Sequence, residues 1–414
     1  MIKKSHRWPE WPQPNKKHGQ KLKEVLNSNR WSISGYENNQ ELQQIEFQKK
    51  FNIKLGCDNS ILCTNGTSAL TIALESLNLK PNSEIIVPLL TWMATPISVL
   101  EAGLKPIFVD INPNTLCIDF VDINPNTLCI DEDLIEESIT ENTRAILIVH
   151  LYGFIANIDK ILSLCKKYHL VLIEDCAHVH FAEWKGRCVG QFGDFGAFSM
   201  QQGKVLTSGE GGALAYKNKY KDVVSCLVRN SRTYSNKSNY FDMNLISNGE
   251  IMGTNRCISE FQAAILNVEI DEFDKYNTQR NDCVEYIREK LNGNDSLQLL
   301  DRQKNVTNTV YYGLPIVLKK EANIEKVIEF AQENLKMGSF QLHRMYEPLD
   351  RNPLYCPEKT LKYNQDKLRT NGLSQAQRMY NKTLVLHHSI LLSNEELIDE
   401  LLYILENGVK KFEI

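Results

Sequence analysis

Short apolar runs alternate with helically spaced segments from about residue 37 to residue 275, and this pattern most restricts the folds open to the chain. Glu84-Ile-Ile-Val-Pro88, Pro106-Ile-Phe-Val109, Ala145-Ile-Leu-Ile-Val149 and Leu170-Val-Leu-Ile173 have the length and composition of buried strands. Between them, residues 68–77 and 95–102 carry apolar side chains at helical spacing. Strands joined by helices predict a largely parallel sheet covered on both faces. Residues 1–36 read as an extended arm rich in Trp, Pro and Asn, and 37–275 as a large α/β domain. Residues 276–414 read as a smaller α+β domain that opens with a long polar helix over 276–291.

One segment breaks the pattern. Phe108-Val-Asp-Ile-Asn-Pro-Asn-Thr-Leu-Cys-Ile-Asp119 recurs residue for residue at 120–131. Two short units cannot build a repeat core, so this is a duplicated strand end and loop, or a cloning or sequencing artefact. Either copy can supply the strand. The first is expected to continue the strand begun at Lys105, with the second bulging at the surface and leading into a helix at Glu132, because longer surface loops cost little.

The totals narrow the function. With 414 residues, 42% hydrophobic and 24% charged, the chain has material for a sizeable core. A net charge of −4 with dispersed lysines gives no nucleic-acid or membrane surface. The eleven cysteines are odd in number and irregularly spaced, and the opening Met1-Ile-Lys-Lys-Ser-His-Arg-Trp8 turns at once to polar and aromatic residues. Both favour free thiols in a reducing cytoplasm.

Chemistry concentrates in Phe198-Ser-Met-Gln-Gln-Gly-Lys204-Val-Leu-Thr-Ser-Gly-Glu-Gly-Gly212, a lysine between an apolar strand and a glycine-rich turn. Asp175 ends an earlier apolar strand, where open α/β sheets place their ligands. A lysine and an upstream strand-end carboxylate fit the Schiff-base lysine and pyridinium partner of pyridoxal phosphate (PLP). The ordinary alternatives are a surface lysine before a turn and an aspartate capping the next helix. Asn65-Gly66-Thr67-Ser68 opens a helix and is either a phosphate cradle or a plain N-cap. Trp92 can stack on a flat ring or pack in the core, and His178 can bond a phenolic oxygen or simply pack. The pair His387-His388 has no cysteine or carboxylate at ligand spacing, so no metal site is expected.

In this order the motifs resemble the DegT/DnrJ/EryC1/StrS sugar aminotransferases, PLP enzymes of fold type I. Thr64-Asn-Gly-Thr-Ser-Ala-Leu70, His150-Leu-Tyr-Gly153, Ile173-Glu-Asp-Cys-Ala-His178, Gly253-Thr-Asn-Arg-Cys-Ile-Ser-Glu260 and the Lys204 segment carry the likeness over nearly the whole chain. The resemblance implies a mostly parallel seven-stranded sheet with a smaller C-terminal domain. It implies a Schiff base at Lys204, a ring-nitrogen partner in Asp175, stacking by Trp92 and a phenolic-oxygen contact from His178. The phosphate falls to Gly66, Thr67, Ser68 and Ser199, with Asn255 reaching the phosphate of the neighbouring subunit in a homodimer. Trp8-Pro-Glu-Trp-Pro-Gln13 and Leu386-His-His-Ser-Ile-Leu-Leu392 are most similar to members that aminate keto-cyclitols with L-glutamine. Ala177-His-Val-His180 is similar to the 3-amino-5-hydroxybenzoate synthases, and a non-catalytic PLP-binding paralogue is the other alternative.

Overall fold

The computed structural model describes residues 7–33, 42–109, 128–229, 232–233, 244–245, 252–360, 362–363 and 375–414. Seven strands form the main sheet: β1 (Ser60–Cys63), β2 (Glu84–Pro88), β3 (Lys105–Val109), β4 (Thr143–Val149), β5 (Val171–Asp175), β6 (Phe195–Ser199) and β7 (Gly212–Tyr216). Their spatial order is β1-β7-β6-β5-β4-β2-β3. β3, β2, β4, β5 and β6 run parallel, while β7 runs antiparallel to both β6 and β1. The parallel strands are apolar on both faces because helices cover both sides; Ile85, Ile86, Ile146, Leu147, Ile148 and Ile173 are fully buried.

Helices α3 (Gly66–Glu75) and α4 (Ala94–Glu101) follow β1 and β2. Asn65 caps α3 by accepting the Ser68 amide at 2.8 Å. Both helices begin beyond strand ends, which brings their first turns to the edge where β5 also ends.

Two helices differ from the sequence reading. Residues 7–33 are not an extended arm throughout: they hold α1 (Lys16–Ser28), which begins with a capping box between Asn15 and His18. Leu22, Val25 and Leu26 stand in it at helical spacing, and His18 and Val25 are its buried residues. The helix expected over 276–291 is the second half of a 31-residue helix, Glu260–Lys290, started by a Ser259–Gln262 capping box. Its first half is buried on most sides and lacks the polar composition by which the second was read.

A second sheet takes β8 (Leu297–Leu299), β9 (Gly313–Leu318), β10 (Leu342–Arg344) and β11 (Thr383–His387) in the order β8-β9-β11-β10, all antiparallel. Helices Ile324–Leu335 and Glu395–Lys411 pack their apolar faces, including Val327, Ala331, Leu401 and Leu405, in the core of this region. Among the described residues no helix is long and apolar enough to cross a membrane.

The first copy of the duplication does continue the strand: Phe108 and Val109 pair with Val87 and Pro88. The end of the second copy, Leu128-Cys129-Ile130-Asp131, is buried and leads into helix Glu132–Glu137. This corrects the expectation that the second copy bulges at the surface: its last four residues are buried because Leu128, Cys129 and Ile130 enter the main core, while 120–127 lie outside the described residues. Deleting residues 120–131 puts the first copy's identical Leu116-Cys-Ile-Asp119 before Glu132 and makes the connection from Val109 roughly threefold shorter, worth about 1 kcal/mol of loop-closure entropy. The deletion variant should therefore be as stable as the parent chain or slightly more so in urea unfolding followed by circular dichroism. A loss above about 2 kcal/mol would mean that the second copy makes contacts one copy cannot replace.

Candidate active site

A cavity of about 690 Å³ opens at the ends of β4, β5 and β6, where the start of α3 and the approach to α4 also converge. Asp175, the last residue of β5, turns its carboxylate into it. Oδ1 accepts the Ala177 amide at 3.1 Å and Oδ2 the Thr95 hydroxyl at 3.2 Å. Thr95 is itself paired with Thr91 at 2.9 Å. Burial raises the Asp175 pKa, opposed by the Ala177 amide, the Lys204 charge and the Thr95 hydroxyl.

Lys204 enters from the turn after β6, with Nζ 4.2 Å from the centroid of the Tyr312 ring. His178 stacks on the same tyrosine at 3.8 Å and 17°. Its Nδ1 accepts the Tyr152 amide at 3.3 Å, which assigns the proton to Nε2, 3.3 Å from the Tyr346 hydroxyl. Burial, then the charge of Lys204, holds His178 neutral with a pKa well below its ordinary value. Trp92, half-exposed, lines the mouth with its ring 5.3 Å from that of Tyr346.

Gly66 and Thr67 reach the cavity at the start of α3, facing Ser199 at the end of β6. A Cβ at residue 66 would lie 2.7 Å from that of Ser199, so only glycine lets these backbones approach. Ser68 is turned aside: its hydroxyl pairs with Thr64 at 2.8 Å. Asn255 lies outside this cavity, exposed, and bridges Arg229 through the backbone. Sequence reasoning missed Tyr312 and Thr95. Tyr312 lies just before β9, and nothing local marks it; Thr95 is the second residue of α4, three after Trp92, a place that could have suggested a strand-end partner.

These residues fit PLP. Desolvation raises the Asp175 pKa in spite of the Lys204 charge, so a cation in direct contact would stabilise the carboxylate, and a protonated pyridine nitrogen is one. Of the first amides of α3, that of Ser68 is taken by the Asn65 cap, while those of Gly66 and Thr67 have no intrahelical acceptor and suit a phosphate. Among the described residues the compact cluster His150, Glu174 and Cys176 has metal-ligand chemistry. However, the Gly190 and Gly193 amides occupy the Glu174 oxygens at 2.8 and 2.7 Å, and His150 reaches them at 3.3 Å. That cluster is a closed hydrogen-bond network.

Fold and site together define a PLP-dependent transaminase of fold type I. The chain belongs to the DegT/DnrJ/EryC1/StrS aminotransferase family, whose model matches residues 12–120 and 119–401. The two matches meet at the junction of the duplicated copies. The chain is 34% identical over 406 residues to an L-glutamine:2-deoxy-scyllo-inosose aminotransferase of Streptomyces kanamyceticus, covering 94% of this chain and 90% of that protein. An L-glutamine:scyllo-inosose aminotransferase of Streptomyces griseus is 31% identical over 95% of this chain and 92% of its own length. The crystal structure of 3-amino-5-hydroxybenzoic acid synthase superposes with a TM-score of 0.81 over 98% of this chain and 99% of that one. At 20% identity this last likeness establishes the fold alone.

Buried histidines should set the acid limit of stability. Burial pushes His180 and His387 down to about 3, against about 6.5 in the unfolded chain. The unfolded state therefore takes up protons first as pH falls, and stability is lost from about pH 6.5 downward. Urea unfolding should show a loss of about 2 kcal/mol per such histidine between pH 7 and pH 5. A flat profile over that range would show that these imidazoles titrate normally.

Proposed function

We propose that the chain moves the amino group of L-glutamine to the ketone of a keto-cyclitol resembling 2-deoxy-scyllo-inosose, or of a keto-sugar, in aminocyclitol antibiotic biosynthesis. It does so as a cytoplasmic homodimer. The observation that carries this reading is one cavity lined by both Lys204 and Asp175, close enough for the lysine charge to act on the carboxylate. The donor and acceptor rest on the names of relatives aligned over more than nine-tenths of the chain.

In this reading the large domain, 37–275, holds the cofactor. Lys204 would bind it covalently and Asp175 would face its ring nitrogen. Gly66, Thr67 and Ser199 would hold its phosphate, which Ser68 would reach only by turning its hydroxyl from Thr64, while Trp92 would lie on its ring and His178 near its phenolic oxygen. Asn255 would serve the neighbouring subunit, and the arm, 1–36, would dock against the small domain, 276–414, which contributes Tyr312, His343 and Tyr346 to the cavity. PLP supplies an electron sink that acidifies the carbon bearing the amino group and carries that group between substrates. Lys204 Nζ, when not bonded to the cofactor, would take the proton from the α-carbon of glutamine as a base and hold it for return as an acid. Neutral His178 offers its Nε2–H as a donor without adding a charge.

The visible absorbance of the PLP-loaded protein should fall when L-glutamine is added. Lys204→Ala should lack that response and lose turnover by about 10²–10⁴-fold while remaining folded. Asp175→Asn should bind PLP more weakly and turn over more slowly, since it presents no anion to the ring nitrogen. Turnover retained in Lys204→Ala removes the assigned role. A band that ignores glutamine and answers another amino acid reassigns the donor.

A further inference from the structure

The backbone on both sides of the Lys204 amide is held by residues distant in sequence, one of them from the N-terminal segment. The indole Nε1–H of Trp11 donates to the Lys204 carbonyl at 3.0 Å. The preceding carbonyl, that of Gly203, accepts from His387 Nε2 at 3.2 Å and His388 Nε2 at 3.0 Å. His387 Nδ1 accepts the Ser389 amide at 3.3 Å, which leaves its proton on Nε2 for Gly203. The Lys204 amide itself donates to the Gln201 carbonyl at 2.8 Å.

Arg280 lies behind this clamp. Its guanidinium is fully buried, and none of its nitrogens has a hydrogen-bond partner among the described residues. Its Cζ lies 4.9 Å from the Trp11 ring centroid and 6.0 Å from that of Tyr276, so the indole is its nearest aromatic contact. The edge of Trp11 in turn meets His388 at 4.7 Å and 83°. Burial foremost, with Arg280 contributing, keeps both histidines neutral, as donation to a carbonyl through one nitrogen requires.

We propose that Trp11, seated on Arg280 and His388, is a positioning residue that fixes the Lys204 backbone so that Nζ alone moves during the reaction. This rests on Lys204 being the cofactor lysine. A lysine that leaves its bond and then shuttles a proton samples many rotamers, and a displacement of its backbone by about 1 Å is costly for turnover. Binding of glutamine does not involve the lysine carbonyl, so the effect falls on kcat.

Trp11→Phe removes the Nε1–H and keeps a ring for Arg280 and His388. Trp8→Phe is the matched control, because Trp8 Nε1 donates in the same way to the Leu335 carbonyl at 2.8 Å, on the same segment but away from the lysine. Two measurements suffice: hydrogen exchange of amides 201–206 in the cofactor-free protein, and kcat and KM for glutamine in the loaded enzyme. Trp11→Phe should raise that local exchange and lower kcat by about tenfold each, with KM within twofold, the scale of one buried hydrogen bond. Trp8→Phe should leave all three within twofold of the parent. Equal kcat in Trp11→Phe, slower turnover without faster exchange at 201–206, or an equal effect of Trp8→Phe each overturns the proposal. If the parent enzyme itself ignores glutamine while Trp11→Phe still loosens 201–206, the donor assignment fails and the clamp stands.

Discussion

Two adjacent carboxylates at the end of β5 are taken out of water by the same sheet and put to opposite uses. Strand alternation sends Glu174 and Asp175 to opposite faces. Glu174, fully buried, is saturated by the Gly190 and Gly193 amides and His150, and so ties the loop before β6 to β5. Asp175 receives one amide and one hydroxyl, fewer donors than two oxygens can accept. A buried anion left short of donors is costly, and that cost is what makes a cationic ring nitrogen welcome beside it. The parallel register of β4, β5 and β6 therefore fixes both the rigidity of the site and its appetite for a cofactor.

The aromatic and imidazole groups around Lys204 work through neutrality. His178, His387 and His388 are deeply buried, and burial is the leading cause of their lowered pKa values. Each then presents one N–H in a direction set by what its other nitrogen or its neighbours accept. Tyr312 sits at the meeting point, stacked on His178 and under Lys204 Nζ. With cations gathered in Arg280 and Lys204, a charged histidine would add repulsion around the proposed cofactor lysine.

The strands were legible because apolar runs in a doubly covered parallel sheet carry no competing pattern; β2, β3 and β4 fall within two residues of their expected limits. That Lys204, Asp175 and the Gly66–Thr67 turn converge on one cavity was legible because glycines and strand ends mark where a parallel sheet opens a cleft. Helix α1 was not read, although Leu22, Val25 and Leu26 stand at helical spacing, because the Trp- and Pro-rich stretch before them suggested an extended arm. Nor were the clamp on Lys204 or the place of Tyr312. Trp11, Arg280, Tyr312 and His388 are separated by tens to hundreds of residues, and only the docking of the second sheet and the N-terminal segment brings them to the lysine. Spacing along a chain cannot report a contact created by packing between elements.

The placement of the duplicated segment follows from the same sheet. β3 is an edge strand, three places from β5, and its partner β2 fixes its register through five consecutive pairs. Extra chain after Val109 does not slide those pairs, because a one-residue slip would break the match of Phe108 and Val109 to Val87 and Pro88. At its far end, Leu128, Cys129 and Ile130 are buried in the main core, so the connection is pinned at both ends. The family match falls into two segments, 12–120 and 119–401, that meet at the junction of the two copies. Two identical copies offer the strand and the core either set of residues, and the sheet takes the strand from the first and the buried tetrad from the second. Such a division needs no change in β4, β5 or β6, where the site is built.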